Sequence, residues 1–192
     1  MKTKLNLLFL FFTITAFSQS IESLKVATKK IYQANYLMDF DGVVSLSYPK
    51  MVDNIGKETL LEKIEKQYEN DEYRLRYQLE TVPFQFGSIK KIEGKSFCVI
   101  TCRNPLRYFF ETKLTAETAE EKATWLKDIN KTKEVIFEPK RNSFNVKKTT
   151  TLIAVMDETT YSQWKFFNLD DANQVAAFET IFGESTKKEL GL

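Results

Sequence analysis

The chain has 192 residues, with 28 basic and 26 acidic side chains and no histidine. A nearly balanced charge argues against a nucleic-acid partner, which would favour a basic face, and against a surface built for anionic lipids. The absence of histidine excludes Ser-His and Cys-His nucleophile schemes and histidine-ligated zinc sites. Since the sequence also lacks a glycine-rich phosphate loop and a metal-spaced carboxylate set, we expect neither a metal nor another cofactor.

Residues 1–18 have the pattern of a cleavable secretory signal peptide. Lys2 and Lys4 precede an apolar run over residues 7–12, and Ala16-Phe17-Ser18 offers the small-x-small pattern that a signal peptidase accepts. The alternative is a buried N-terminal helix. A spanning helix would need roughly 20 apolar residues, so we expect no membrane span. The sequence therefore predicts a periplasmic or secreted protein with a single domain over residues 19–192, in which acidic and basic side chains balance.

Three helices are predicted before any strand. Apolar residues recur at spacings of three and four over residues 21–38, which predicts a first helix. A second, short helix is predicted over Phe40–Leu46, stopping before Tyr48-Pro49 because the residue before a proline avoids helical angles. A third is predicted from about Gly56 to Glu69.

The pattern then changes to strands separated by turn residues, with Asn104-Pro105 interpreted as one of the turns. A polar stretch over residues 115–133 predicts a helical insertion, and a last helix should begin at Asp170 or Asp171 and end at Gly183. This order predicts an α+β fold in which N-terminal helices pack on a curved antiparallel sheet. The predicted strands are 74–79, 83–92, 96–103, 106–114, 135–138, 143–157 (undivided or in two parts) and 161–167.

The two cysteines, Cys98 and Cys102, fall on one predicted strand. Positions i and i+4 of a regular strand lie about 13 Å apart, whereas a disulfide needs Cα atoms within roughly 7 Å. We therefore predict two buried thiols rather than a disulfide, a redox pair or a metal pair.

Candidate chemistry is sparse. Asp39 lies between aromatic residues, where its pKa could rise enough for acid-base work. The interpretation that we favour is that Asp39 or Asp41 caps the second helix through backbone N–H groups. Tyr32, Tyr36 and Tyr48 could donate hydrogen bonds to a ligand or lie at the rim of the core. Trp164 and Phe166 share one face of the last predicted strand. They could pack in the core against a helix or form one wall of a ligand site.

Three residue groups resemble the nuclear transport factor 2-like superfamily, which includes ketosteroid isomerases and polyketide cyclases. They are Asp39-Phe40-Asp41-Gly42-Val43-Val44 leading to Tyr48-Pro49, then Gly56-Lys57-Glu58-Thr59-Leu60-Leu61, and Gln163-Trp164-Lys165-Phe166-Phe167. The resemblance covers about residues 21–170 and implies a cone-like fold with a cavity between sheet and helices. It suggests an exported bacterial member and makes Asp39 a candidate base. The helical insertion and the last helix depart from the family core.

Two functions are consistent with these features. The first is an exported, non-enzymatic binding module that holds an apolar small molecule or a protein segment in an aromatic-lined cavity, with Tyr36, Phe40, Tyr48, Trp164 and Phe166 as candidate contacts. Sixteen phenylalanines and the missing histidines motivate it. The alternative is a cofactor-free isomerase, dehydratase or cyclase that uses Asp39 with Tyr36 or Tyr48. A homodimer is compatible with either function.

Overall fold

The computed structural model describes residues 21–192, so the predicted signal peptide lies outside the described residues. The fold is α+β, with helices packed on a curved antiparallel sheet, as predicted. The elements in chain order are α1 (21–37), α2 (Phe40–Leu46), α3 (Pro49–Ile55), α4 (Lys57–Tyr68), β1 (Tyr73–Tyr77), β2 (Phe84–Phe86), β3 (Lys90–Ile92), β4 (Lys95–Phe110), α5 (Ala116–Ile129), β5 (Val135–Glu138), β6 (Ser143–Met156), β7 (Lys165–Asn168) and α6 (Ala172–Leu190).

Two long strands form the middle of the sheet. β4 pairs with β6 along nearly its whole length, from Ser96 opposite Met156 to Phe109 opposite Ser143. The other strands are short and lie on the two outer edges of this pair: β1, β2 and β3 pair with β4, and β5 and β7 pair with β6. All pairings are antiparallel, so each long strand positions several short ones.

The two faces of the sheet are covered differently. Phe97, Ile153 and Phe167 point to one face and pack against Phe178 of α6, in a cluster that also includes α3; we call this the α6 face. On the opposite face, α1 covers one end through Leu24 and Ile31. The buried side of α5 covers the other end. We call this the cavity face, because its middle lies between the two covered ends.

The predicted turn at Asn104-Pro105 is wrong, because β4 runs through it without a break. The carbonyl of Pro105 accepts the Gln78 N–H at 3.0 Å, on the edge of β4 that faces β1. A residue's N–H and C=O point to the same edge of a strand, so the missing N–H of Pro105 also faces this edge. There β1 pairs only from Leu106 onwards and β2 only up to Cys102, so the proline removes no strand hydrogen bond.

The predicted helices are confirmed in position, with one helix missed. α2 matches its predicted bounds, and α1, α4 and α5 lie where the periodicity placed them. The stretch after Tyr48 was expected to be non-helical, yet α3 begins at Pro49. Tyr48 is extended, as a residue before proline should be, and Pro49 occupies the first helical turn, where its missing N–H removes no intrahelical bond.

The strand boundaries differ in detail. The stretch predicted as one strand over residues 83–92 is divided into β2 and β3, whereas β6 is a single strand. Residues 161–164 precede β7 rather than belong to it. Cys98 and Cys102 are both buried and free, as predicted. Within residues 21–192, no helix is long and apolar enough to cross a membrane.

The prediction that a helix ends at Gly183 is confirmed, because the helical backbone stops there, where Gly183 takes φ 80° and ψ 159°. The helical segment after this bend, which continues to Leu190 as the second half of α6, was not predicted. The backbone conformation of Gly183 is open essentially to glycine alone. The bend allows the second half of the helix to continue across the α6 face, where Leu190 joins the same core cluster as Phe178.

We expect Gly183→Ala to lower the free energy of unfolding by about 2–3 kcal/mol, because a side chain at this φ and ψ is strained even where space is available. The matched control is Gly191→Ala, whose glycine at φ 82° and ψ 32° lies in the left-handed helical region and should cost only about 1 kcal/mol. Urea denaturation of both variants measures the difference. Equal losses of stability in the two variants would show that a side chain at the bend is no more strained than one at the end of the helix.

Candidate functional site

A cavity of about 250 Å³ lies over the middle of the cavity face. α1 and α4 form its roof, the ends of α5 and β7 close two sides, and β1, β4 and β6 form the floor. The floor is uncovered because the apolar clusters under α1 and under α5 do not meet. The cavity therefore results from the spacing of two helices along one pair of strands.

Polar side chains form the centre of the floor. Cys102 lies opposite Thr150, and Asn104 lies opposite Lys148, so all four project from neighbouring positions of β4 and β6. Asn104 is fully buried and Thr150 is 6% exposed. By hydrogen-bond geometry, neither the amide nitrogen of Asn104 nor the hydroxyl of Thr150 has a partner, although the Asn104 amide lies close enough to the Tyr77 hydroxyl to interact with it. Buried polar atoms nearly always find a partner, so two such atoms in one cavity indicate a site that receives a polar group.

Tyrosine hydroxyls surround this centre. The Tyr32 hydroxyl lies 3.1 Å from the Leu79 carbonyl and 3.2 Å from the Asn104 Oδ1. Tyr68 donates to the Asn35 Oδ1 at 2.8 Å. Burial raises the pKa of Tyr77 to about 12 and moves the pKa values of Tyr32 and Tyr68 upward as well. These hydroxyls therefore stay protonated near neutral pH, where they orient neighbours and offer hydrogen bonds but do not act as bases.

One ion pair lies at the edge of the floor. The Lys148 Nζ is 2.7 Å from the Asp170 Oδ2, with side chains only 16% and 21% exposed. Burial raises the pKa of the Cys102 thiol to about 11, and the nearby Asp170 carboxylate adds to the rise. The thiol thus remains protonated and is a poor nucleophile.

Apolar side chains complete the wall. Ile31 of α1, Ile64 of α4, Leu106 of β4 and Phe166 of β7 all line the cavity. The cavity is therefore mixed, with apolar walls around a polar floor. Six aromatic side chains are among the residues that line it, namely Tyr32, Tyr68, Tyr73, Tyr77, Tyr108 and Phe166. Five of them are tyrosines, which bring hydroxyl groups to an aromatic lining.

Of the residues predicted to contact a ligand, Tyr32 and Phe166 line this cavity. Trp164 is packed between α1 and the sheet, where its Nε1 donates to the Ser23 Oγ at 3.1 Å. Tyr48 is fully buried on the α6 side of the structure, stacks on Phe167 and donates to the Asp157 Oδ2 at 2.7 Å. Phe40 packs edge-on against Tyr68, and Tyr36 is half-buried on α1 without lining the cavity.

Asp39 is a helix cap. Its Oδ1 accepts the backbone N–H of Gly42 at 2.9 Å at the first turn of α2, and the residue is exposed. It does not line the cavity and is not hydrogen-bonded to Tyr36 or Tyr48. The structure therefore does not assemble the acid-base group that the isomerase hypothesis requires.

The sequence reasoning missed Asn104, Thr150, Lys148 and Asp170. Asn104 was assigned to a turn because proline follows it, and Thr150 was one of three threonines in an otherwise ordinary strand. A usable signal was that Thr150 shares a strand face with Leu152 and Ala154, because a polar residue on the buried side of a long strand is unusual. Within residues 21–192, no group of three acidic or cysteine side chains is arranged to hold a metal ion.

Comparison with protein-family models, curated proteins and solved structures finds no match to this chain. The resemblance to the nuclear transport factor 2-like superfamily therefore stays a prediction based on the quoted residue groups, and the site must be interpreted from its own chemistry.

We expect Thr150→Val to raise the free energy of unfolding by about 0.5–1 kcal/mol, because it removes a buried hydroxyl that has no partner and keeps the side-chain shape. The matched control is Thr28→Val on α1, since the buried Thr28 hydroxyl donates to the Leu24 carbonyl at 2.8 Å. That variant should lose about 0.5–1 kcal/mol. Thermal and urea denaturation measure both, and a similar loss in the two variants would mean that the Thr150 hydroxyl is paired.

Proposed function

We propose that the protein is an exported, non-enzymatic binding module and that its ligand occupies the cavity between α1, α4 and the sheet. The observation that carries the proposal is the pair of buried, unpartnered polar atoms on the floor, the Asn104 Nδ2 and the Thr150 Oγ1. Export enters the proposal through the predicted signal peptide over residues 1–18.

The cavity favours a small molecule over a protein segment. Its volume of about 250 Å³ lies just below the range of roughly 300–1,000 Å³ that is usual for drug-sized ligands. The walls suit a compact ring or branched aliphatic body. The Asn104 amide is a hydrogen-bond donor, and the Thr150 hydroxyl both donates and accepts, so the ligand should present a carbonyl or similar acceptor to the floor.

The protonation states of the side chains that line the cavity favour binding over catalysis. The tyrosines and Cys102 are held in their neutral forms by burial. The Lys148 ammonium and the Asp170 carboxylate satisfy each other. A reaction that begins with proton abstraction needs an unpaired base within hydrogen-bond reach of the substrate, and the described lining residues favour recognition instead.

The test is a binding measurement with a simple ring amide. Titration of the protein with benzamide, followed by NMR, should shift the Asn104 side-chain amide and the neighbouring residues of the floor. Asn104→Leu and Thr150→Val should each weaken the binding about tenfold, the effect of losing one hydrogen bond of roughly 1.4 kcal/mol.

The matched control is Ser143→Ala. The Ser143 hydroxyl is also buried and unpartnered, but it lies outside the cavity lining, so this variant should bind benzamide like the wild type. Absence of benzamide binding, or equal weakening by Ser143→Ala and Thr150→Val, would contradict the proposed site.

A further inference from the structure

β6 leaves part of its outer edge open beside the cavity. β5 pairs with β6 only as far as Val146, and β7 pairs only from Leu152 onwards, so residues 147–151 have no strand partner on that edge. A recess of about 140 Å³ lies in this gap, next to the loop that follows α5. It adjoins the cavity, since Ile129, Asn130, Lys148 and Asp170 line both spaces.

The recess is positively charged in a nearly neutral protein. Arg103, Lys131, Lys147 and Lys148 line it, against the single carboxylate of Asp170. Asp170 pairs with Lys148, and Arg103 pairs with Glu134. Among the described residues, neither Lys131 nor Lys147 forms an ion pair, so two cationic side chains remain uncompensated at this opening.

A backbone donor also points into the recess. The Lys147 N–H donates to the Glu134 carbonyl at 3.0 Å, and the Thr151 N–H lies 3.5 Å from the Asp170 Oδ1. Both groups point away from β4. Because alternate residues of a strand direct their N–H groups to the same edge, the N–H of Thr149 points into the gap between them, where β5 has ended and β7 has not begun.

The end of α5 does not cancel this charge. Helix C-termini carry partial negative charge on their last carbonyls, but these carbonyls are occupied here. The N–H of Asn130 donates to Leu126, that of Lys131 donates to Asp128, and that of Thr132 donates to Lys127. At the end of α5, the recess is therefore bordered by the loop that follows the helix, which carries the positively charged side chain of Lys131.

We propose that the cavity ligand carries an anionic group, a carboxylate or a phosphate, and that this group binds in the recess. The inference rests on the proposed function, because the body of the ligand occupies the cavity. The anion accepts the Thr149 N–H and lies near Lys131 and Lys147, while the Lys148–Asp170 pair separates it from the polar floor. The ligand class is thus a small organic acid or phosphate ester with a compact apolar body.

The experiment compares three ring amides: 4-carbamoylbenzoate, 4-carbamoylphenyl phosphate and neutral benzamide, so that each compound offers the same amide to the floor and only the first two carry an anionic group. NMR titration of the wild-type protein should give dissociation constants about tenfold lower for at least one anion than for benzamide. The Lys131→Gln/Lys147→Gln variant should remove this preference and leave benzamide binding unchanged. Added salt should weaken the binding of the two anions and not that of benzamide, because salt screens interactions between exposed charges. Whichever anion binds more tightly identifies the group.

The matched control is Lys113→Gln/Lys140→Gln, which removes two exposed lysines outside the recess and should retain the preference. Binding of benzamide as tightly as both anions would overturn the anion inference and leave the proposed function standing. The same holds if the Lys131 and Lys147 substitutions weaken all three compounds equally. Absence of binding by any of the three compounds would instead overturn the proposed function itself.

Discussion

The antiparallel pairing of β4 with β6 is the constraint on which the rest of the structure depends. Its register, from Ser96 opposite Met156 to Phe109 opposite Ser143, fixes which side chains reach each face. A slip of β6 by one residue would turn its side chains to the opposite faces and would bring Thr150 to the side of α6, away from Asn104. The hydrophobic residues at the ends of both strands oppose such a shift, because they are buried under α1, α5 and α6.

The cavity and the recess follow from what this pair of strands leaves uncovered. On the cavity face, α1 and α5 cover the ends and leave the middle, where the polar residues lie. On the outer edge of β6, β5 and β7 cover the ends and leave residues 147–151. Both openings meet at Lys148 and Asp170. Polar groups in the centre of a sheet lower stability unless they are hydrogen-bonded. Polar residues that are kept at such positions at a cost in stability are typical of functional sites.

Much of the fold could be predicted because its signals are local. Asp39 caps α2, Thr115 caps α5 and Asp171 caps α6, and each cap is a short polar residue placed before an apolar repeat. The errors arose where tertiary context overrides a local rule. Pro105 is tolerated because β1 ends beside it, where only its carbonyl is hydrogen-bonded. Gly183 ends one helical segment, but a second segment of α6 follows it. The residues next to Pro105 in the sequence do not show where its partner strand ends. The residues next to Gly183 do not show the surface on which the rest of α6 packs.

The site was harder to predict than the fold for a related reason. Aromatic residues such as Tyr48 and Trp164 were attractive candidates because they are large, yet large size is what makes them suited to the core. The residues that form the cavity floor are small and polar, and their importance depends on the register between strands that lie more than forty positions apart. A sequence alone indicates that Asn104 and Thr150 are on strands, but not that they meet.

The most direct test is a crystal structure of the chain from residue 19 onwards, purified from the cells that naturally make it. We expect density for a small molecule in the cavity, within hydrogen-bond distance of the Asn104 Nδ2 and the Thr150 Oγ1, with its charged group toward Thr149. A cavity filled by the protein's own side chains, with both of these atoms paired to them, would contradict this expectation.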